Sequence, residues 1–207
     1  MRGEIGFGGS LSAELIPGAE PAPLLWRLRN WMRPAFLWGW LCYRLASAFT
    51  AITGIPTIVA RLEATLIRAD GRRVHYGVLG YRVVTDAGVA FLVDDWDNDA
   101  TDITTMNYHA CGTDSTAEAA TDTALGAEAT TVTDRVAGTK SQPAANQLQT
   151  VGTQSFTGTA AITEHGLFSS ITEGAGTLWD RSVFAAINVG SGDSIQWTYT
   201  CTINSGG

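Results

Sequence analysis

Lysine is almost missing from this chain of 207 residues, in which Lys140 stands beside twelve arginines. Cysteine is scarce and odd in number. Cys42, Cys111 and Cys201 lie far apart with no CxxC pair, a pattern that supports neither a zinc site nor a disulfide framework and points to reduced thiols in a cytoplasm. The three histidines, His75, His109 and His165, are too scattered to share one helical face as a metalloprotease motif requires. There is no GxxxxGK[ST] and no GxGxxG after a strand, so the chain has no phosphate loop of a known sequence type. A secretory leader is not expected, because the first 23 residues are acidic and rich in Gly and Pro where an apolar core would stand. Long apolar runs are also short of what a bilayer needs. Residues 34–43 end at Arg44, and the next uncharged run, 45–60, contains Gly54 and Pro56. Against a requirement of about 20 apolar residues, no membrane span is expected.

What is present favours strands. The chain is 45% hydrophobic, enough for one domain or one domain with an appendage, and its 23 glycines with abundant Thr and Ala suit β-structure with many turns. The net charge of −7 hides a division. Residues 1–82 carry ten Arg and five acids, or +5; residues 83–207 carry two Arg, Lys140 and fifteen acids, or −12. Two regions with different surroundings are implied. The acidic whole, with an isoelectric point near 4.8, argues against nucleic acid as a partner.

Along the chain, residues 1–23 read as an extended arm punctuated by Gly and Pro. In 24–49, Leu24, Leu28, Trp31 and Met32 follow helical spacing, and Pro34 stops that turn and opens a second helix. Residues 61–84 read as a hairpin. Leu62, Ala64 and Leu66 alternate with Glu63, Thr65 and Ile67, and Asp70-Gly71 supplies the turn. Thr85-Asp86 caps a short helix that places Val89, Leu92, Val93 and Trp96 on one face. Strands are expected over 103–111, 126–137, 148–162, 176–189 and 194–204. The last is the clearest, with Ile195, Trp197, Tyr199, Cys201 and Ile203 on one face and Gln196, Thr198, Thr200 and Thr202 on the other. The fold class is mainly β: an antiparallel β-sandwich, jelly-roll- or Ig-like, with one short helix and a Trp/Arg-rich, partly helical arm. Residues 1–60 form the arm, a docking and oligomerisation segment, and 61–207 the sandwich domain.

Three groups of residues invite chemistry. Glu164-His165 with Asp193 and Ser194 suggests a hydrolase, and a triad can be built from distant parts. However, VGSGDSI is not the G-x-S-x-G elbow, Ser194 opens the clearest strand, and adjacent residues on a strand point to opposite faces. Hydrogen bonding at turns and strand ends is the reading preferred. Asp95, Asp97 and Asp99 have alternate spacing that can converge on calcium, yet an EF-hand counted from Asp95 meets Ala100 and Met106 where Gly and Glu are needed. A solvated acidic loop is the default, with no cofactor and no metal expected. Trp26, Arg27, Arg29, Trp31, Arg33, Trp38, Trp40 and Arg44 combine the two residue types most enriched at interface hot spots. Burial of these Trp in the chain's own core and contact with a partner are equal readings here, while the arginines do not keep the single clean face of a membrane-surface helix.

The later two-thirds resembles a family of small tailed-bacteriophage structural proteins. The likeness is carried by RADGRRVHYGVLGYRVVTDAGVAFLVDDW, MNYHACGTDSTAEAATDTAL and, most specifically, by ITEHG, DRSVFAAINV and GDSIQ in that order. It covers about residues 60–207 and leaves the Trp-rich start unmatched. The resemblance implies a non-enzymatic virion component assembled in the host cytoplasm, with Glu164, His165, Asp193 and Ser194 in a framework of turns. The leading expectation is a capsid cement (decoration) protein. Its basic, aromatic arm would dock on the major capsid protein and on copies of itself, as a homo-oligomer and in the first instance a trimer. The alternatives are a tail, baseplate or vertex component, including one that binds glycan, and a phage hydrolase using His165 and Ser194.

Overall fold

The Asp70-Gly71 pair turns the chain as its sequence predicts. Gly71 takes φ 86°, the Arg68 amide donates to the Arg72 carbonyl and the Gly71 amide to the Arg68 carbonyl, and Asp70 accepts from the Arg72 amide. The computed structural model describes residues 18–81, 83–98 and 101–205. The turn joins β2 (Thr57–Ile67) to β3 (Arg73–Tyr81). Around this hairpin the described residues build a mainly β structure of two sheets with three helices. The remaining strands are β1 (Ala19–Pro21), β4 (Val83–Val84), β5 (Tyr108–Gly112), β6 (Val136–Ala137), β7 (Thr139–Ser141), β8 (Gln147–Ser155), β9 (Ala160–Phe168), β10 (Leu178–Val189) and β11 (Ser194–Asn204). One sheet runs β1-β3-β2-β11-β8-β7 and the other β4-β10-β9-β5-β6.

The period-two pattern of β11 holds on the inward face as far as Cys201, but Ile203 is exposed, and Thr200 and Thr202 on the opposite face are buried. Trp197 lies opposite Ala64 and Gly152, and Tyr199 opposite Leu62 and Thr150. Ile195, Trp197, Tyr199 and Cys201 are all buried. Leu62, Ala64, Leu66, Leu79, Ile195 and Trp197 of the first sheet meet Cys111, Ile162, Phe184, Ile187 and Val189 of the second in one core. Two facing sheets around that core are consistent with the expected sandwich. Its pairing is not wholly antiparallel, since β1 runs parallel to β3.

Several expected strands are redrawn. The run 148–162 is two strands in different sheets, because Phe156 leaves the ladder to exchange hydrogen bonds with Gly192 and Asp193. In 126–137 only Val136–Ala137 is strand, and Ala129 to Thr133 close a turn instead. A 3-10 turn occupies Ile103–Thr105, so the next strand starts later than expected.

There are three helices, two in the expected partly helical arm and the one short helix after Thr85. α1 (Leu24–Trp31) and α2 (Pro34–Thr53) are separated where Pro34 predicts, and α2 runs without a break through Arg44. By length and composition α2 is apolar enough to cross a membrane, which the two separate short runs were not. A narrow stripe of α2 packs on the first sheet. Phe36, Ala46 and Thr50 are buried, the Phe36 and Tyr43 rings meet Tyr81, and Gly39 admits the Tyr81 backbone so closely that a Cβ would lie 2.9 Å from the Tyr81 Cβ. The expected domain boundary at residue 60 therefore falls inside β2, with α1 and α2 built onto the β-structure.

α3 (Asp86–Asn98) begins at Thr85, whose hydroxyl accepts from the Gly88 amide. The face expected to carry Val89, Leu92, Val93 and Trp96 does not pack inward as a whole. Phe91 and Leu92 pack on Trp179 and Tyr199, while Val89, Val93 and Trp96 stand exposed. Gly88 sets this rotation, since a Cβ there would sit 2.6 Å from the Trp179 carbonyl oxygen.

Candidate functional site

Glu164 and His165 sit in the middle of β9, not at a turn, and both are completely buried. As neighbours on a strand they face opposite ways, and each anchors a different network. Glu164 accepts from the Gly126 amide at 3.0 Å, the Ala127 amide at 2.8 Å and the Asp114 amide at 3.3 Å. Arg181 on β10 donates to it at 2.8 Å. The same guanidinium also pairs with Asp114 and Asp122, each at 2.9 Å. One arginine thus holds three carboxylates and staples the 113–127 loop over the second sheet. Burial acts to lower the Arg181 pKa, but Asp122 and Glu164 outweigh it and raise it. Asp114 is held below the usual carboxylate range, first by the Thr116 amide and then by the Thr116 hydroxyl and Arg181.

His165 points into the interior. Its ring lies 4.7 Å from that of Trp197, and its Nε2 is 3.0 Å from His109 Nδ1. His109 Nε2 in turn lies 3.3 Å from Thr150 Oγ1 on β8. This polar chain crosses from the second sheet to the first. One ring nitrogen of the His pair must donate and the other accept, so two protonated rings cannot make it. Gly152 gives His109 its space, since a Cβ there would lie 2.6 Å from the imidazole.

Asp193 and Ser194 belong elsewhere. Asp193 closes the turn before β11 by accepting from the amides of Gly190 and Ala69 and from Arg68 at 2.8 Å. Burial pushes its pKa upward, yet these donors prevail and hold it below the usual range. Ser194 Oγ lies 3.0 Å from Ser155 Oγ, on the strand face opposite to that of Trp197, against which His165 is packed. The fold does not bring Ser194 to His165, and the pairing on which a triad depends is not formed. Of the four residues only Asp193 and Ser194 lie at a turn or strand end. Burial also pushes up the pKa of the Cys111 thiol and takes Cys201 to about 11.

Asp95 accepts from the Ile103 amide at 3.0 Å and so tethers the 3-10 turn. Asp97 is exposed, and Asp99 lies outside the described residues. Among the described residues no group of three His, Cys, Asp or Glu has metal-binding geometry.

The Trp/Arg segment divides in two. Trp26 belongs to the chain's own core: its indole N–H donates to the carbonyls of Ala185 and Ala186, and its ring meets Tyr76 edge-on at 4.6 Å. Trp31, Trp38 and Trp40 are exposed, at 52%, 69% and 42%. Arg27, Arg29 and Arg44 are exposed and Arg33 is half-buried. Leu24, Leu25, Leu28, Met32, Leu37, Leu41, Leu45, Phe49 and Ile52 extend the same open apolar surface over both helices. The helical stripe of Leu24, Leu28, Trp31 and Met32 therefore faces outward, while the buried contacts of α1 come from Trp26 and Asn30.

Sequence reasoning missed Asn30, Arg181, His109, Thr150 and Gln154. Asn30 satisfies β10 and β3 at once, accepting from the Ala185 amide and donating to the Leu79 carbonyl. Gln154 accepts from the buried Trp197 indole. The one available signal was for Arg181, which is one of only two arginines in the acidic half. Compared with known protein families, with curated proteins and with solved structures, the chain matches none.

Proposed function

We propose that this chain is a non-enzymatic structural protein of a tailed-phage particle, a capsid cement protein that attaches to the major capsid protein and to its own copies through α1 and α2. The observation that carries this reading is the open face of those helices, where Trp31, Trp38, Trp40 and a run of leucines are left to solvent beside Arg27, Arg29 and Arg44. Contiguous exposed apolar surface of this kind marks an interaction site, and Trp and Arg are the side chains that dominate interface energies. The described part of residues 24–58 has four arginines and no acid, so it suits an acidic partner surface. The polar groups once suggestive of catalysis are instead engaged in holding loops and sheets together, which supports a structural role.

The test is the amount of the protein in purified particles relative to the major capsid protein, together with attachment of variants to bare shells. Copies in proportion to the shell lattice are expected, and Trp31→Ala or Trp38→Ala is expected to weaken attachment about tenfold or more. A few copies per particle would move the protein to the tail, baseplate or a vertex. Absence from particles, or partition of the protein into lipid vesicles in place of shells, would overturn the reading.

A further inference from the structure

The ladder between β9 and β10 is interrupted between Val183 and Ile187. Phe184, Ala185 and Ala186 bulge there, and α1 is pinned over the bulge by Trp26 and Asn30. Beside that contact lies a cleft of about 290 Å³ lined by Arg29, Arg33, Ser115, Thr163 and residues 184–186. Bulges re-aim side chains and recur next to functional sites. Arg29 and Arg33 of the basic N-terminal region thus line one hollow whose other walls belong to the acidic region 83–207. Neither forms an ion pair with a described carboxylate. Burial is the largest influence lowering the Arg33 pKa; Glu118 opposes it and Arg29 adds to it, so one acid is felt against two cations. The other large hollow differs in this respect. Its Arg135 is already held by Glu128 and by the carbonyls of Ser170 and Ala175.

We propose that the Arg29–Arg33 cleft binds a phosphate group, free or as a monoester. The two planar guanidiniums provide paired donors suited to several oxygens of one anion, and the Ser115 hydroxyl adds a third. Thr163 donates its own proton to the Asp114 carbonyl, so it offers the cleft only an acceptor. An acceptor favours the P–OH of a hydrogen phosphate and gives nothing to sulfate or a carboxylate.

Calorimetric titration of the full chain at neutral pH and fixed ionic strength tests this, with inorganic phosphate, methyl phosphate, sulfate and acetate as probes. Saturable binding of one phosphate per chain is expected, at least fivefold tighter than sulfate or acetate. The double variant Arg29→Gln, Arg33→Gln should lose it, and Arg27→Gln, which removes the same charge outside the cleft, should not. Should the double variant fail to fold, Arg29→Gln alone, at an exposed position, is expected to weaken phosphate about tenfold. Methyl phosphate binding as well as inorganic phosphate assigns a monoester; binding of inorganic phosphate only assigns the free ion. Equal affinity for sulfate, an equal loss in Arg27→Gln, or heats that do not saturate would each overturn the proposal.

Discussion

Glu164 shows what a carboxylate sealed from water requires. It is completely buried, and three amides and Arg181 supply its hydrogen bonds. Removing it leaves three loop amides without their acceptor and deprives Arg181 of its one fully buried partner, with Asp114 and Asp122 still paired to it, so Glu164→Ala is expected to cost about 3–5 kcal/mol in urea unfolding. Glu164→Gln keeps one acceptor oxygen and should cost less. A catalytic acid placed here would show the reverse pattern, lost activity with little lost stability. The acid range gives a second test at this scale. Asp193 and Asp114 both titrate below the ordinary carboxylate value in the folded protein. Their stabilisation is therefore complete above the unfolded value of about 3.9 and is lost as the pH falls through their lower folded values. The urea midpoint should fall steeply below about pH 4. Asp193→Asn should lower the midpoint at neutral pH and flatten that acid slope.

α1 is the element whose role its own pattern disguises. Its apolar stripe is real, but the stripe is turned outward, and two residues outside it do the anchoring. Asn30→Ala would leave the Ala185 amide and the Leu79 carbonyl buried without partners, for which about 2–4 kcal/mol of stability is expected to be lost. Trp31→Ala, at a position 52% exposed, should change the stability of the isolated chain by no more than about 0.5 kcal/mol. Denaturant midpoints of the two variants distinguish this arrangement from one in which the stripe packs inward. The same inversion occurs in α3, where Gly88 decides the face and Val89, Val93 and Trp96 are left open. In both helices a moment can be read from the sequence but its direction cannot, because an outward apolar face and an inward one have the same spacing.

At the scale of the molecule, the division of charge found in the sequence survives folding as a basic helical face attached to an acidic β-structure. The proposed attachment through that face should weaken as salt rises from about 0.05 to 0.5 M, because its exposed arginines act through screened interactions. Sedimentation of the protein with shells across that range measures this. A salt-independent attachment would assign binding to the tryptophans and leucines alone.

The hairpin at Asp70-Gly71, the inward face of β11, the break before Pro34 and the Thr85 cap were all determined locally. Each depends on neighbours a few residues apart, and backbone geometry ties such spacings to one structure. The split of 148–162 into two sheets, the inward turn of His165 onto Trp197 and the three carboxylates on Arg181 were decided by tertiary structure alone. Their partners lie far away in the chain: Arg181 reaches Asp114 across 67 residues, and Ala185 reaches Asn30 across 155. No local pattern records which distant donor will satisfy a buried acceptor. Burial nevertheless demands one, and only the packing of the sheets determines which residue supplies it.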